Sequence, residues 1–237
     1  MGRYPSIAAS KQKTGAARGK LYSMYAKEIY QVAKNGGSNP DGNLSLKRLI
    51  EKAKKDQVPN DIIKRAIDKV NSGVDESYEN ARYELFGPAG STVIVDCLTD
   101  NVNRTISSIR TVLNKTKLKM GGINSVSYMY DNLCIVGFRG LSLEETMDVL
   151  IGNDVDVNDL EEDNGIIMVY GDPSDLNKIK EAILSYKEVT FEIDEIAMLA
   201  KDKVKLAGED LETFNKLLSM LDEVEDVDHV YHNVDLD

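Results

Sequence analysis

Along the first third of the chain, apolar residues recur at helical spacing; beyond it they gather in short runs and alternations. From about Gly19 to Lys34, Leu21, Tyr25, Ile29 and Val32 mark one face of a helix. The breakers from Asn35 to Gly42 predict a loop. A second helix is expected over about 44–56, with Leu46, Leu49, Ile50 and Ala53 inward. A third is expected over about 60–71, with Asn60 as its cap after Pro59 and with Ile63, Ala66, Ile67 and Val70 inward. Three short amphipathic helices make a small bundle. Gly73 and Asp75 then read as a linker, and residues 1–18 as a mobile basic arm.

Past the linker the period changes. Residues 83–86 and 91–99 read as strands, 103–116 as a helix and 125–131 as another strand. The next stretch reads strand 133–138, helix 142–152, strand 155–161, strand 165–170, helix 174–186 and strand 189–197. That order is βαββαβ, the ferredoxin-like arrangement. A helix over 209–224 and a strand over 227–232 close the chain. Neither flanking fragment makes a sheet unit alone, so the two are expected to join around an insertion. The predicted fold class is α+β: a small N-terminal helical bundle, then two α+β domains, the ferredoxin-like one inserted into the other. The expected domains are 1–75, 76–132 plus 201–237, and 133–200.

Composition agrees with a packed protein, with 42% apolar and 29% charged residues among 237. The net charge of −11 conceals an asymmetry. Residues 1–75 hold 15 Lys/Arg against 7 Asp/Glu, whereas residues 76–237 hold 14 against 33. A basic head on an acidic body points to nucleic-acid contact confined to the head. Cys97 and Cys134 have no Cys/His cluster around them, which argues against a disulfide framework or a structural zinc site. The first twenty residues carry five Lys/Arg and no apolar h-region, so no signal peptide is expected, and no apolar run approaches the ~20 residues that cross a bilayer. A cytoplasmic protein without membrane contact is expected.

Candidate chemistry outside the head is thin. Gly15-Ala16-Ala17-Arg18-Gly19-Lys20 has one residue too few between its glycines for a phosphate loop, with Leu21 where a hydroxyl belongs. The stretch from Asp154 to Asp159 opens like a calcium loop but has Asp159 where glycine is needed and Gly165 where the bidentate Glu belongs. Weak divalent binding at Glu161, Glu162 and Asp163 is the residual expectation there. His229 and His232, three apart on a strand, face opposite ways and read as part of a solvated edge strand. No catalytic constellation, cofactor site or metal site is expected, and a metal-dependent enzyme in the acidic body is the remote alternative.

The head offers more. Lys20, Lys27 and Lys34 recur every seven residues and align on one side of the first helix, with Tyr22 and Tyr30 flanking them as rings able to stack on bases. Tyr25 is expected to pack inward. Lys47 and Lys54 repeat the spacing on the second helix, near Arg48, Lys52 and Lys55, and Lys64, Arg65 and Lys69 decorate the third. The second and third helices have the connection length of a helix-turn-helix. The exposed set Asp61, Lys64, Arg65, Asp68 and Lys69 is nevertheless poor in the side chains that read base edges. Phosphate or RNA-shape contact fits better than sequence readout.

Five segments carry a resemblance: G-A-A-R-G-K-L-Y (15–22), V-P-N-D-I-I-K-R-A-I-D (58–68), Y-E-L-F-G-P-A-G (83–90), L-T-D-N-V-N-R-T (98–105) and S-V-S-Y-M-Y (125–130). Together they resemble the YebC family nearly end to end. That family includes bacterial proteins described as DNA-binding transcriptional regulators and a mitochondrial translational activator. The resemblance implies three domains, no catalysis, a cytoplasmic location and nucleic-acid engagement in gene expression, with a ribosomal role in relieving stalled elongation at proline-rich stretches as the alternative. Arg3, Lys11, Lys13, Arg18, Lys20 and Lys27 match the family's basic N-terminus, and Asp100, Asn101, Asn103 and Arg104 its internal motif. Any of those three Asp/Asn residues can cap the helix that follows; Arg104 has no such structural role and is the expected contact. The chain departs from the commoner branch, which opens with Gly-His-Ser-Lys-Trp, since it has Gly2-Arg3-Tyr4-Pro5-Ser6 and no Trp. It also has Lys117-Leu118-Lys119-Met120 before the Gly121-Gly122 turn.

The expected nucleic-acid contacts are Arg3, Lys11, Lys13, Arg18, Lys20, Lys27, Lys34, Lys47, Lys54, Arg65 and Arg104. The partner is duplex DNA or ribosomal RNA, with the ribosome itself a candidate and the protein a monomer.

Overall fold

The computed structural model describes residues 15–73, 75–116 and 118–236. They divide into two compact units, one formed by the described part of residues 9–125 with Leu206–Val230, the other by Val126–Lys205 with residues 231–236. Of the sequence expectations, the arm contacts Arg3, Lys11 and Lys13 lie outside the described residues.

The first unit opens with α1 (Gly15–Gly36), α2 (Leu44–Lys55) and α3 (Asn60–Asn71). Their apolar stripes meet in a core of Tyr25, Ile29, Ala33, Leu46, Ala53, Val58, Ile63 and Ala66. Asn43 fixes the first turn between helices. Its Oδ1 accepts the Leu46 N–H at 3.1 Å as N-cap of α2, while its amide donates to the carbonyls of Val32 and Gly37 at 3.0 and 2.9 Å. A Cβ at Gly36 would stand 2.6 Å from that amide, so the end of α1 needs glycine there. The cap expected at Asn60 is not one: Pro59 occupies the cap position with extended ψ and Asn60 is already helical.

The same unit continues with β1 (Glu79–Phe86), β2 (Thr92–Thr99), α4 (Val102–Thr116) and β3 (Lys119–Met120). It resumes, after the whole second unit, with α7 (Gly208–Asp222) and β9 (Val227–His232), whose last two residues fall in the other unit. The four strands form one sheet in the order β3-β1-β2-β9. A strand from the chain's end thus completes a sheet begun near residue 79, as the inserted topology requires. Ile109, Val112 and Leu113 of α4 and Phe214, Leu217 and Leu221 of α7 are buried, and the two helices pack together.

The second unit holds β4 (Tyr130–Phe138), α5 (Leu143–Gly152), β5 (Asp159–Asp163), β6 (Ile166–Gly171), α6 (Leu176–Tyr186) and β7 (Phe191–Ala200), with the short parallel pair β8 (Val204–Lys205) and β10 (Val234–Asp235). Its sheet runs β5-β6-β4-β7, antiparallel throughout, the ferredoxin-like order. Alternation along β4 sends Cys134, Val136 and Phe138 to a core with α5 and α6, and Leu133 and Ile135 to a core on the opposite face.

Two strand expectations need correction. Residues 127–129 form a 3₁₀ turn rather than part of a strand over 125–131. The strand begun at Tyr130 then runs unbroken to Phe138, because Asp131 and Asn132 pair with Leu199 and Met198 of β7. The strand expected over 155–161 is β5 at 159–163. Asn164 and Gly165, both at positive φ, form a two-residue hairpin turn that fixes its register against β6.

Candidate nucleic-acid interface

The seven-residue repeat of lysines on α1 does align them, and each meets an acceptor within the unit, Lys27 buried and Lys34 at the surface. Lys20 Nζ donates to the Asp222 carbonyl at 2.8 Å, with the carboxylate at 3.7 Å. Lys27 Nζ lies 2.9 Å from Asp226 Oδ1 and is buried. Lys34 Nζ lies 2.5 Å from Asp75 and donates to the Glu76 carbonyl at 2.8 Å. The stripe is a clasp between α1 and acidic residues at 75, 222 and 226. Lys27 therefore has no open face for a phosphate, in contrast to the sequence expectation.

Asp226 is the centre of that clasp. Its side chain is 4% exposed and accepts hydrogen bonds from Lys27, from Arg104 Nη2 at 3.0 and 2.9 Å, and from Thr105 Oγ1 at 2.9 Å. Its own carbonyl accepts the Leu98 N–H at 2.9 Å. Burial alone pushes the carboxyl up; the bonds from Lys27, Arg104 and Thr105 outweigh it and hold the group below the ordinary carboxylate range. Arg104 also bonds Asp100 at 2.6 Å, and both carboxylates hold its guanidinium in the charged form. Sequence reading assigned Arg104 no structural duty; its partner lies 122 residues away. Asn101 does cap α4, accepting the Arg104 N–H at 3.0 Å. No local signal marks Asp226, which sits in an acidic run like many others.

Beside the clasp lies a second polar group. The Glu28 carboxyl is raised to about 7 by burial and by the neighbouring Asp228 charge. The Asp228 carboxylate lies 3.1 Å from His229 Nδ1; burial lowers the imidazole's affinity for a proton, but that carboxylate more than offsets it and the net shift is upward.

The tyrosines also turn inward. Tyr30, expected as a stacking ring, is 3% exposed; its hydroxyl accepts the Glu76 N–H at 2.9 Å and its ring meets Tyr78 edge-on. Tyr25 is buried as expected, donating to Asp56. Tyr22 is half-buried against the bundle core.

What remains outward is the basic face of α2 and α3, with Arg18 on α1. Lys47 and Lys54 are exposed one heptad apart on α2 and have no ion pair among the described residues; Lys52 and Lys55 are exposed near them. Lys64 and Arg65 are exposed on α3, Arg65 donating to the Asp61 carbonyl at 3.1 Å, while Lys69 pairs with Glu76. This surface presents ammonium and guanidinium groups interspersed with Glu51, Asp61 and Asp68, and suits phosphates rather than base edges.

The other candidates resolve simply. Gly15–Lys20 is the start of helix α1, not a phosphate loop. Glu161 receives the Tyr170 hydroxyl within the sheet, and among the described residues no group of three or more His, Cys, Asp or Glu is placed to hold a metal. Burial pushes the thiols of Cys97 and Cys134 up to about 12 and about 11, keeping both protonated at neutral pH. No helix among the described residues is long and apolar enough to cross a membrane.

Comparison with known proteins places this arrangement. A family model described as the TACO1/YebC protein N-terminal domain matches residues 3–73, and one described as the TACO1/YebC second and third domain matches residues 78–234. A Vibrio parahaemolyticus protein named a probable transcriptional regulatory protein is 48% identical over 229 residues, 96% of each chain. A Marinomonas protein of the same name is 44% identical over 237 residues, 99% of this chain and all of that one. The crystal structure of a conserved hypothetical protein from Aquifex aeolicus superposes with a TM-score of 0.78 at 31% identity, covering 99% of this chain and 97% of its own.

Proposed function

This chain belongs to the TACO1/YebC family, and we propose that it is a non-catalytic regulator of gene expression that holds nucleic acid by its phosphates through the helical head. The observation that carries the reading is the exposed cationic surface of α2 and α3, centred on Lys47, Lys54, Lys64 and Arg65. Arg18 extends it on α1. The division of labour follows the partition 1–75, 76–132 plus 201–237, and 133–200: the first part carries the contacts and the clasp at Asp226 orients it on the second.

The names of the relatives put the regulation at transcription, which makes duplex DNA the first partner to test. A second reading, structured RNA such as that of the ribosome, is favoured by the mixed-charge face of α3, which lacks the bidentate side chains of a reading helix. The deciding experiment measures binding of the full chain to fragmented genomic duplex and to intact ribosomes at about 150 mM salt, where exposed charges feel each other over about 8 Å. Recovery of a defined duplex sequence without ribosome binding supports regulation of transcription. Saturable ribosome binding with weak, unselective duplex binding supports the RNA reading. Absence of both, or undiminished binding after Lys47→Glu with Lys54→Glu, defeats the proposal.

A further inference from the structure

From Asn101 through Tyr130 the chain holds no Asp or Glu and five Lys/Arg, whereas the rest of residues 76–237 holds 33 acids and nine Lys/Arg. The acidic body thus contains one acid-free segment, and it is α4 with the β3 loop that follows. Within that segment Arg104 is taken by Asp100 and Asp226, and the other cations of the body differ in their partners. Arg82, Arg139, Lys178, Lys180, Lys201 and Lys205 each reach a carboxylate within their own unit. Arg110, Lys115, Lys119 and Lys216 are exposed and have no salt-bridge partner among the described residues. Lys216 Nζ instead approaches the Lys115 carbonyl, at 3.4 Å, in the last turn of α4. The negative end of the helix dipole helps to hold these ammonium groups together without neutralising them.

The same end of the unit carries an apolar tip. Lys119 pairs across the sheet with Phe86, which is 42% exposed, and Ile123 at the turn beyond β3 is 93% exposed. The turn is held in one shape. Gly121 N–H donates to the Glu84 carbonyl at 2.7 Å, and Asn124 N–H to the carboxylate of the same buried residue at 2.8 Å. A Cβ at Gly121 would lie 2.2 Å from Ser125 Oγ and 2.9 Å from the Phe86 ring, so any side chain there would have to displace both. The turn displays Ile123 two residues after Gly121, which meets the Phe86 ring, and four residues after the exposed Lys119, so it joins two attractions, for phosphate and for the apolar face of a base.

We propose that the exposed flanks of α4 and the 121–125 turn form a second nucleic-acid surface, taking RNA with unpaired bases: Arg110, Lys115, Lys119 and Lys216 hold phosphates while Ile123 and Phe86 pack against splayed bases. The proposal rests on the nucleic-acid reading above, in its RNA branch. Charge complementarity selects the occupant, because an anionic strand is drawn to this segment and repelled by the acidic surface elsewhere on the body.

The test uses the full chain with a fluorescein-labelled RNA hairpin bearing a single-stranded loop, a fully paired RNA and a DNA duplex of matching length. Arg110→Glu with Lys119→Glu is expected to lower hairpin affinity at least tenfold and to reduce the salt slope by about 0.7 per lost contact to single-stranded phosphate. Ile123→Ala is expected to lower hairpin affinity by about three- to tenfold, leaving the salt slope and the fully paired RNA unaffected. All three positions are exposed, so unchanged melting temperatures exclude misfolding. Hairpin binding unaltered by both variants, while Lys47→Glu with Lys54→Glu weakens it, overturns this surface and leaves the head reading intact. Equal effects of Ile123→Ala on paired and unpaired RNA overturn the base contact. No binding of the unaltered chain to any of the three nucleic acids brings down the head reading itself.

Discussion

Helices α1 and α2 both place lysines seven residues apart, and the two sets meet opposite fates. Lys20, Lys27 and Lys34 pair with Asp222, Asp226 and Asp75, whereas Lys47 and Lys54 are exposed without an ion pair among the described residues. Heptad spacing aligns side chains on a helix but does not say whether that side faces water or another element. What separates the sets is the supply of carboxylates to α1, Asp222 and Asp226 from the segment returning from the end of the chain and Asp75 from the linker after α3. A lysine stripe reads as a ligand surface only after the protein's own carboxylates have taken their share.

The contrast breaks most visibly at Asp226. Asp226→Ala leaves Lys27 buried without its counter-charge and is expected to cost about 3–5 kcal/mol in urea unfolding, the usual range for breaking a buried pair. A loss below about 1 kcal/mol would show that the clasp is not what it appears geometrically. Next in size is Lys47→Glu with Lys54→Glu. It should weaken nucleic-acid binding at least tenfold, about 1.4 kcal/mol, while leaving the urea midpoint unchanged; a shifted midpoint would place these lysines with the clasp instead.

The third test is pH. Glu28 is raised to about 7 in the folded chain, above its ordinary carboxylate value, so the native state binds the extra proton and loses that advantage as pH rises from about 4.5 to 7. His229 is also raised, and its contribution, complete below its unfolded pKa, fades as pH climbs through the folded value. Both act in the same direction: the melting temperature should fall between pH 5.5 and 8, and Glu28→Gln should flatten that fall. A fall of equal size in the variant removes Glu28 from the account. Asp226, held low, works the other way, contributing stability above its unfolded pKa that is lost as pH drops through the folded value. The smallest effect is expected at Lys34→Gln, whose pair with Asp75 is open to solvent and screened by salt; melting temperature and binding should both stay at the level of the unaltered chain.

Much of the architecture was legible because it depends on local pattern. The three amphipathic stripes delimited α1 to α3 within a few residues, and the alternation and breakers after residue 130 yielded the βαββαβ order. The misses share a cause. The turn at 127–129 and the unbroken start of β4 depend on pairing with β7, about seventy residues later. Lys119–Met120, read only as a departure before a glycine turn, becomes a strand because β1 offers it an edge. Tyr30 looked like an exposed ring and is closed over by Tyr78.

By itself, the sequence determined the helices and most of the strands, the inserted order of the two α+β parts and the separation of a basic head from an acidic body, since periodicity and charge are written residue by residue. Only the tertiary structure decided which cations remain open. Neutralisation depends on which carboxylate arrives within a few ångströms, and Asp226 reaches Lys27 across 199 positions of chain. Spacing along one helix carries no information about a partner that far away; the fold alone brings the two charges together.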